Sequence, residues 1–132
     1  MTHWAQKYIG GKYVIGESDC WAFFRRLQSE QWGRQIPDVP IDIESARSIV
    51  DELERERSDL SRWSPVSEPR DGDAVLLGRG RRPIHIGTYV DIDESGGVLH
   101  ALEGIGVVYT PWHRLDASGW PRNWIYRYAG DN

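Results

Sequence analysis

Few residues in this chain can do covalent chemistry: one cysteine and four histidines. The cysteine stands at a junction. In Gly16-Glu17-Ser18-Asp19-Cys20-Trp21-Ala22-Phe23-Phe24-Arg25-Arg26-Leu27 a polar, glycine-started loop runs into an apolar helical pattern. Ser18 and Asp19 are both good helix N-cap residues, so Cys20 is expected in the first turn, where unpaired backbone N–H groups and the positive end of the macrodipole collect. That setting favours the thiolate, which is the nucleophilic form. Two other readings stay open. Free cysteine often packs as a small hydrophobe, and Trp21-Ala22-Phe23-Phe24 would suit a core thiol. A metal ligand is the third, although the close Cys/His spacing of structural zinc sites is missing.

The histidines differ in setting. His3 and His113 lie in polar or terminal segments and read as surface residues. His85 stands between Ile84 and Ile86 and just before Gly87, so its ring should project from the face opposite the isoleucines, with the glycine allowing a ligand or another backbone close approach. His100 ends the next apolar run, either as a core histidine held by a backbone carbonyl or as a partner of His85. Parity decides between them. A turn centred on Asp93-Glu94 pairs residues 92 and 95, sets His100 opposite Gly87, and makes His85 and His100 diagonal neighbours about 7–8 Å apart. A loop of odd length would put the two rings on opposite faces. A thiol on a helix terminus, a histidine base and a polar group orienting that base are the parts a cysteine nucleophile needs.

The elements that must position these residues follow from periodicity. Thr2 to Ile9 reads as a short helix stopped by Gly10-Gly11, and the cysteine helix runs from Cys20 to Trp32 with Gly33 as its stop. A second helix is expected from Asp42 or Glu44 to Leu60, its charge-rich end from Asp51 to Arg62 being a solvated face. Trp63 to Asp73, punctuated by Pro65, Pro69 and Gly72, reads as a loop. Ala74–Leu77, Ile84–Val90, Gly97–Ala101, Gly106–Tyr109 and Trp124–Tyr128 are then five short β-rich runs. Helices followed by a meander predict an α+β domain, with N-terminal helices packed on a five-stranded, mainly antiparallel sheet.

Four of these stretches together carry a family resemblance. Asp19-Cys20-Trp21, Gly72-Asp73-Ala74-Val75-Leu76-Leu77, His85-Ile86-Gly87-Thr88-Tyr89-Val90 and Val98-Leu99-His100-Ala101 resemble, in order, the NlpC-type cysteine peptidases, papain-like enzymes that cut cell-wall peptides. The likeness spans most of the chain and implies one NlpC-like domain over residues 1–132. It implies Cys20 as nucleophile, His85 as base and His100 as the residue orienting it, with no cofactor and no metal. Around substrate and oxyanion it implies Tyr13, Asp19, Trp21 and Gly87, the backbone N–H of Cys20 being the expected oxyanion donor. Two departures stand out. Tyr13 is only seven residues before Cys20, and the bulky Trp21-Ala22 stands where the family commonly has Ser-Gly. Trp21, and the ending from Gly106-Val107-Val108 to Trp124-Ile125-Tyr126-Arg127-Tyr128, look most like the phage-tail branch. The implied substrate is the peptide stem of peptidoglycan, and phage tail proteins are the implied partners.

Composition bounds the rest. A chain of 132 residues is one domain by size, and 39% apolar with 27% charged residues is ordinary for a globular protein. A net charge of −4 argues against a nucleic-acid partner. No run reaches the length of a membrane span. The single cysteine forms no internal disulfide, and Met1-Thr2-His3-Trp4-Ala5-Gln6-Lys7 has no signal-peptide core, so synthesis in the cytoplasm is expected, with a virion tail or delivery to the cell wall as the destination. Arg79, Arg81 and Arg82 form a basic loop beside His85 that would either hold a substrate carboxylate or be a solvated turn. Among seven tryptophans, Trp112 and Trp120 are the ones expected at a groove or partner surface.

Overall fold

The structure is a computed structural model, and it describes residues 3–14, 18–36, 63–81, 83–92 and 95–128. The expected second helix lies outside these residues, as do Arg82 and the charge run from Asp51 to Arg62. The helix α1, Cys20–Trp32, begins where Asp19 turns extended backbone into helix by accepting the N–H of Ala22 on its side chain at 2.9 Å. It ends at Gly33, whose left-handed φ of 69° lets its own N–H reach the carbonyls of Gln28 and Ser29. Both signals are local to the sequence.

Among the described residues the sheet has six antiparallel strands rather than five, in the order β1-β6-β2-β3-β4-β5. The strands are β1 (Trp63–Val66), β2 (Ala74–Gly78), β3 (His85–Ile92), β4 (Ser95–Leu102), β5 (Gly106–Pro111) and β6 (Arg122–Tyr128). Strands β2 to β5 are the expected meander, while β6 returns across the sheet to the other side of β2 and carries the additional β1 as its outer neighbour. Pro65 disguised β1 as a loop, yet an edge strand tolerates proline because one row of its backbone groups faces no partner. At the opposite edge, Val107 of β5 exchanges backbone hydrogen bonds with Gly10 and Gly11, at 2.9 and 2.8 Å. The expected N-terminal helix is shorter and tighter, a 3-10 turn over Trp4–Lys7 whose N-terminus His3 caps through Nδ1.

Alternation along the strands builds two layers of side chains. On one face α1 packs Cys20, Trp21 and Phe24 against Ile86, Leu76 and Ala74, and Phe23 and Leu27 against Val90, Leu99 and Ala101. Gln28 is buried on the same face, its amide donating to the Thr88 hydroxyl and to the Gly72 carbonyl, both at 3.2 Å. The other face carries Val75, Leu77 and Val98, covered by Trp112, Leu115 and Trp120 from the crossover between β5 and β6. Asp73 joins the centre of the sheet to β6, accepting from Nε and Nη2 of Arg127 at 3.0 and 2.8 Å.

Candidate active site

Cys20 opens α1 and meets the sheet at Ile86. The backbone N–H of Ile86 donates to its sulfur, and the N–H groups of Cys20 and Trp21 lie beside that sulfur as well. Ile86 is free to do so because the registered pairing of β3 with β4 runs from Ile92↔Ser95 only to Thr88↔Leu99, while β4 continues along β5 to Leu102↔Gly106. The pairing of Ile92 with Ser95 sets the register that puts His85 and His100 on one face. Their rings meet: His85 Nε2 lies 2.7 Å from His100 Nδ1.

The thiol and the imidazoles therefore approach one end of β3 from opposite sides. Cys20 clusters with Ile86 on the α1 face. His85 pairs across the strands with Leu77, which belongs to the other face. Cys20 is tied to this strand through the Ile86 N–H, one residue from His85.

Burial sets the protonation states. It pushes the Cys20 thiol up to about 11, the charge of Asp19 adding to the rise and the Ile86 N–H opposing it. This shift runs against the expected thiolate: with Cys20 only 4% exposed, loss of water favours the neutral thiol. Burial also lowers His100 to about 4, and burial together with the charge of His100 holds His85 well below the usual 6.5. All three shifts favour the neutral thiol and the neutral imidazoles.

Tyr13 stands where the charges of Cys20, Asp19 and Glu103 reach it, and burial chiefly pushes its phenol up to about 12. Other expected site residues do structural work. Asp19 caps α1. Trp21 is packed in the core, stacked on Phe24 with centroids 5.8 Å apart. Gly87 leaves no opening for a ligand: a Cβ there would come within 2.4 Å of Val98 Cγ1 and 2.9 Å of His100 Cβ, so its missing side chain is the room His100 occupies. Trp120 faces inward, stacked on His85, and Trp112 packs edge-on against Tyr89. Arg79 donates to the Gly119 carbonyl and sits over the Trp120 ring. His3 caps the 3-10 turn, and His113 is exposed.

One contact is announced by no motif in the sequence. His100 Nε2 lies 2.9 Å from the hydroxyl of Thr110 on β5, extending the polar chain across three strands. Pairing of Val98 with Thr110 puts this side chain on the histidine face, and that register is visible only once β4 and β5 are aligned. Among the described residues no three of His, Cys, Asp and Glu converge where an ion could sit, and no helix is long and apolar enough to cross a membrane.

Compared with known families, residues 6–127 match the NlpC/P60 family. No curated protein matches the chain.

Proposed function

The chain belongs to the NlpC/P60 family, and from that premise we propose that it is a cysteine hydrolase of the peptidoglycan stem peptide, with Cys20 as nucleophile, His85 as base and His100 orienting that base. The observation that carries this reading is the 2.7 Å bond between His85 and His100 on the strand whose next residue, Ile86, holds the Cys20 sulfur. Family membership supports the broader class, a cysteine peptidase or amidase acting on peptidoglycan.

The resting charges point to a particular order of events. With a neutral thiol there is no preformed ion pair, so His85 removes the proton as sulfur attacks the amide carbonyl. His85 uses Nδ1, because Nε2 is engaged by His100. The carbonyl oxygen gains negative charge beside the start of α1, where the Cys20 N–H is the nearest backbone donor in the sequence. The proton on Nδ1 then passes to the leaving amine, the C–N bond breaks and a thioester remains. Water, deprotonated by His85, cleaves that thioester and restores the thiol. Tyr13, within electrostatic reach of Cys20, is the side chain suited to meeting the substrate.

Likeness in the stretches around Trp21 and from Gly106 to Tyr128 supports a finer reading, a phage-tail enzyme, and the resemblance to the family as a whole supports D-Glu to diaminopimelate as the bond cut. A second reading, a family member that keeps the fold without the chemistry, draws on the burial of the Cys20 thiol. An amidase toxin or an acyltransferase would use the same Cys-His pair. Incubation with purified muropeptides and mass analysis of the products separates these. Hydrolysed fragments from the parent and none from Cys20→Ala establish the peptidase; transfer products indicate an acyltransferase; intact muropeptides with both proteins favour the silent scaffold.

A further inference from the structure

We propose that Thr110 is a positioning residue that selects the base-competent tautomer of the histidine pair, by accepting a hydrogen bond from His100 Nε2–H; the role rests on His85 being the base. Thr110 Oγ1 lies 2.9 Å from His100 Nε2, and His100 Nδ1 lies 2.7 Å from His85 Nε2. Both contacts are buried.

Counting protons shows why the far end of this chain matters. Two neutral imidazoles carry two N–H protons on four nitrogens. One proton must occupy the bond between the rings. The other has two places to go: His85 Nδ1, or His100 Nε2. In the first arrangement His85 Nδ1 is already a donor and cannot take a proton from a thiol. In the second it has a free lone pair, and the outer proton points at Thr110. Once His85 has taken the proton the pair holds three N–H protons, and His100 Nε2–H is then obligatory, whichever ring carries the charge. Thr110 is therefore asked to accept in the competent resting state and again in the cationic state. Without that oxygen, a buried His100 Nε2–H would be unpaired, and the proton would move to the ring nitrogen that must stay empty.

Nothing adjacent in sequence announces this. Thr110 is ten residues from His100 and enters the site because Val98 pairs with it across β4 and β5. Valine has the same branched shape as threonine without the oxygen, and serine keeps the oxygen, so two substitutions separate packing from hydrogen bonding.

The test is 15N NMR of the imidazole nitrogens in the full chain at neutral pH, alongside muropeptide turnover. In the parent, His100 Nε2 and His85 Nε2 should give the shifts of protonated nitrogens, and His85 Nδ1 that of an unprotonated one. Thr110→Val should move the outer proton, so that His85 Nδ1 becomes the protonated nitrogen and His100 Nε2 the bare one. Thr110→Ser should restore the parent pattern. Turnover should fall roughly 10–100-fold in Thr110→Val, chiefly in kcat, and recover in Thr110→Ser. Should Thr110→Val fail to fold, Thr110→Ala removes the same oxygen and gives the same readout. The NMR pattern needs no substrate: a tautomer change without any parental hydrolysis would sink the peptidase reading while the control of the tautomer by Thr110 still stood. An identical 15N pattern in the parent and in Thr110→Val or Thr110→Ala overturns the proposal.

Discussion

The indole of Trp120 lies flat against the imidazole of His85, with ring centroids 5.1 Å apart and planes within 15°. The Arg79 guanidinium sits 5.2 Å from the same indole and its Nε donates to the Gly119 carbonyl, so the loop that carries Trp120 is held over the histidine pair. The crossover between β5 and β6 thus serves as the roof of the His85–His100 bond. Burial is the main cause of the low basicity of His85. Trp120→Ala should let water in, raise the His85 midpoint toward 6.5 in a proton NMR titration, and lower turnover about tenfold, equivalent to about 1.4 kcal/mol. An unchanged titration would show that the indole is packing only.

Gly87 is a second point where shape controls chemistry. Its position opposite His100 is filled by that residue's Cβ and by Val98, with the Leu99 carbonyl 3.2 Å from where a side chain would begin. Backbone cannot give way as a flexible side chain can. Gly87→Ala should therefore push β3 and β4 apart and break the 2.7 Å bond between the rings. The expected result is a loss of about 1–3 kcal/mol in stability with turnover nearly abolished. Parental stability in urea, with parental turnover, would place Gly87 outside the site.

These contacts explain what could be read from the chain alone. Asp19 and Gly33 act on the residues beside them, so the bounds of α1 were legible. The meeting of His85 with His100 was also within reach, because the pairing of Ile92 with Ser95 sets the register of β3 on β4 through residues close in the chain. Thr110 depends on a different register, between β4 and β5, and no local signal ties it to His100. Strand β1 was hidden by Pro65, whose tolerance depends on being at an edge that only the assembled sheet defines. The upward shift of the Cys20 thiol is hidden from the sequence for the same kind of reason: a helix terminus is a local property, whereas burial by the rest of the fold is not.

Protonation of the histidine pair should be visible in stability. His100 has a folded midpoint of about 4 against an unfolded value of 6.5, and His85 is shifted in the same direction. The unfolded chain therefore binds more protons between those values. The stabilising contribution of the buried neutral rings is fully present above pH 6.5 and is lost as pH falls through 4, a change on the order of 3 kcal/mol for His100. Thermal unfolding followed by circular dichroism should show a steady midpoint from pH 8 to about 6.5 and a marked fall below it. His100→Asn cannot titrate, so its midpoint should fall less steeply over the same range. Parallel curves for the two proteins would mean that His100 is not held neutral by the fold.

The thiol gives the opposite sign, and with it the most direct test of the nucleophile. A folded midpoint of about 11 against an ordinary value of 9.0 means that the folded protein keeps its proton longer than the unfolded chain, and at pH 7 holds roughly a hundredfold less thiolate. Stability from this group is present below 9.0 and is lost as pH rises through about 11. Alkylation of Cys20 by iodoacetamide should accordingly be slow at pH 7 in the native protein, faster in urea, and should climb steeply above pH 10. Cys20→Ala should cost about 1 kcal/mol of stability, since the sulfur is small and the Ile86 N–H loses only a weak acceptor. Cys20→Ser should cost less, because its hydroxyl can accept that N–H. Both should abolish muropeptide cleavage, because neither side chain supplies a thiol for His85 to deprotonate. Undiminished cleavage by Cys20→Ala would remove Cys20 from the chemistry, and rapid alkylation of the native protein at pH 6 would show that the buried thiol is ionised after all.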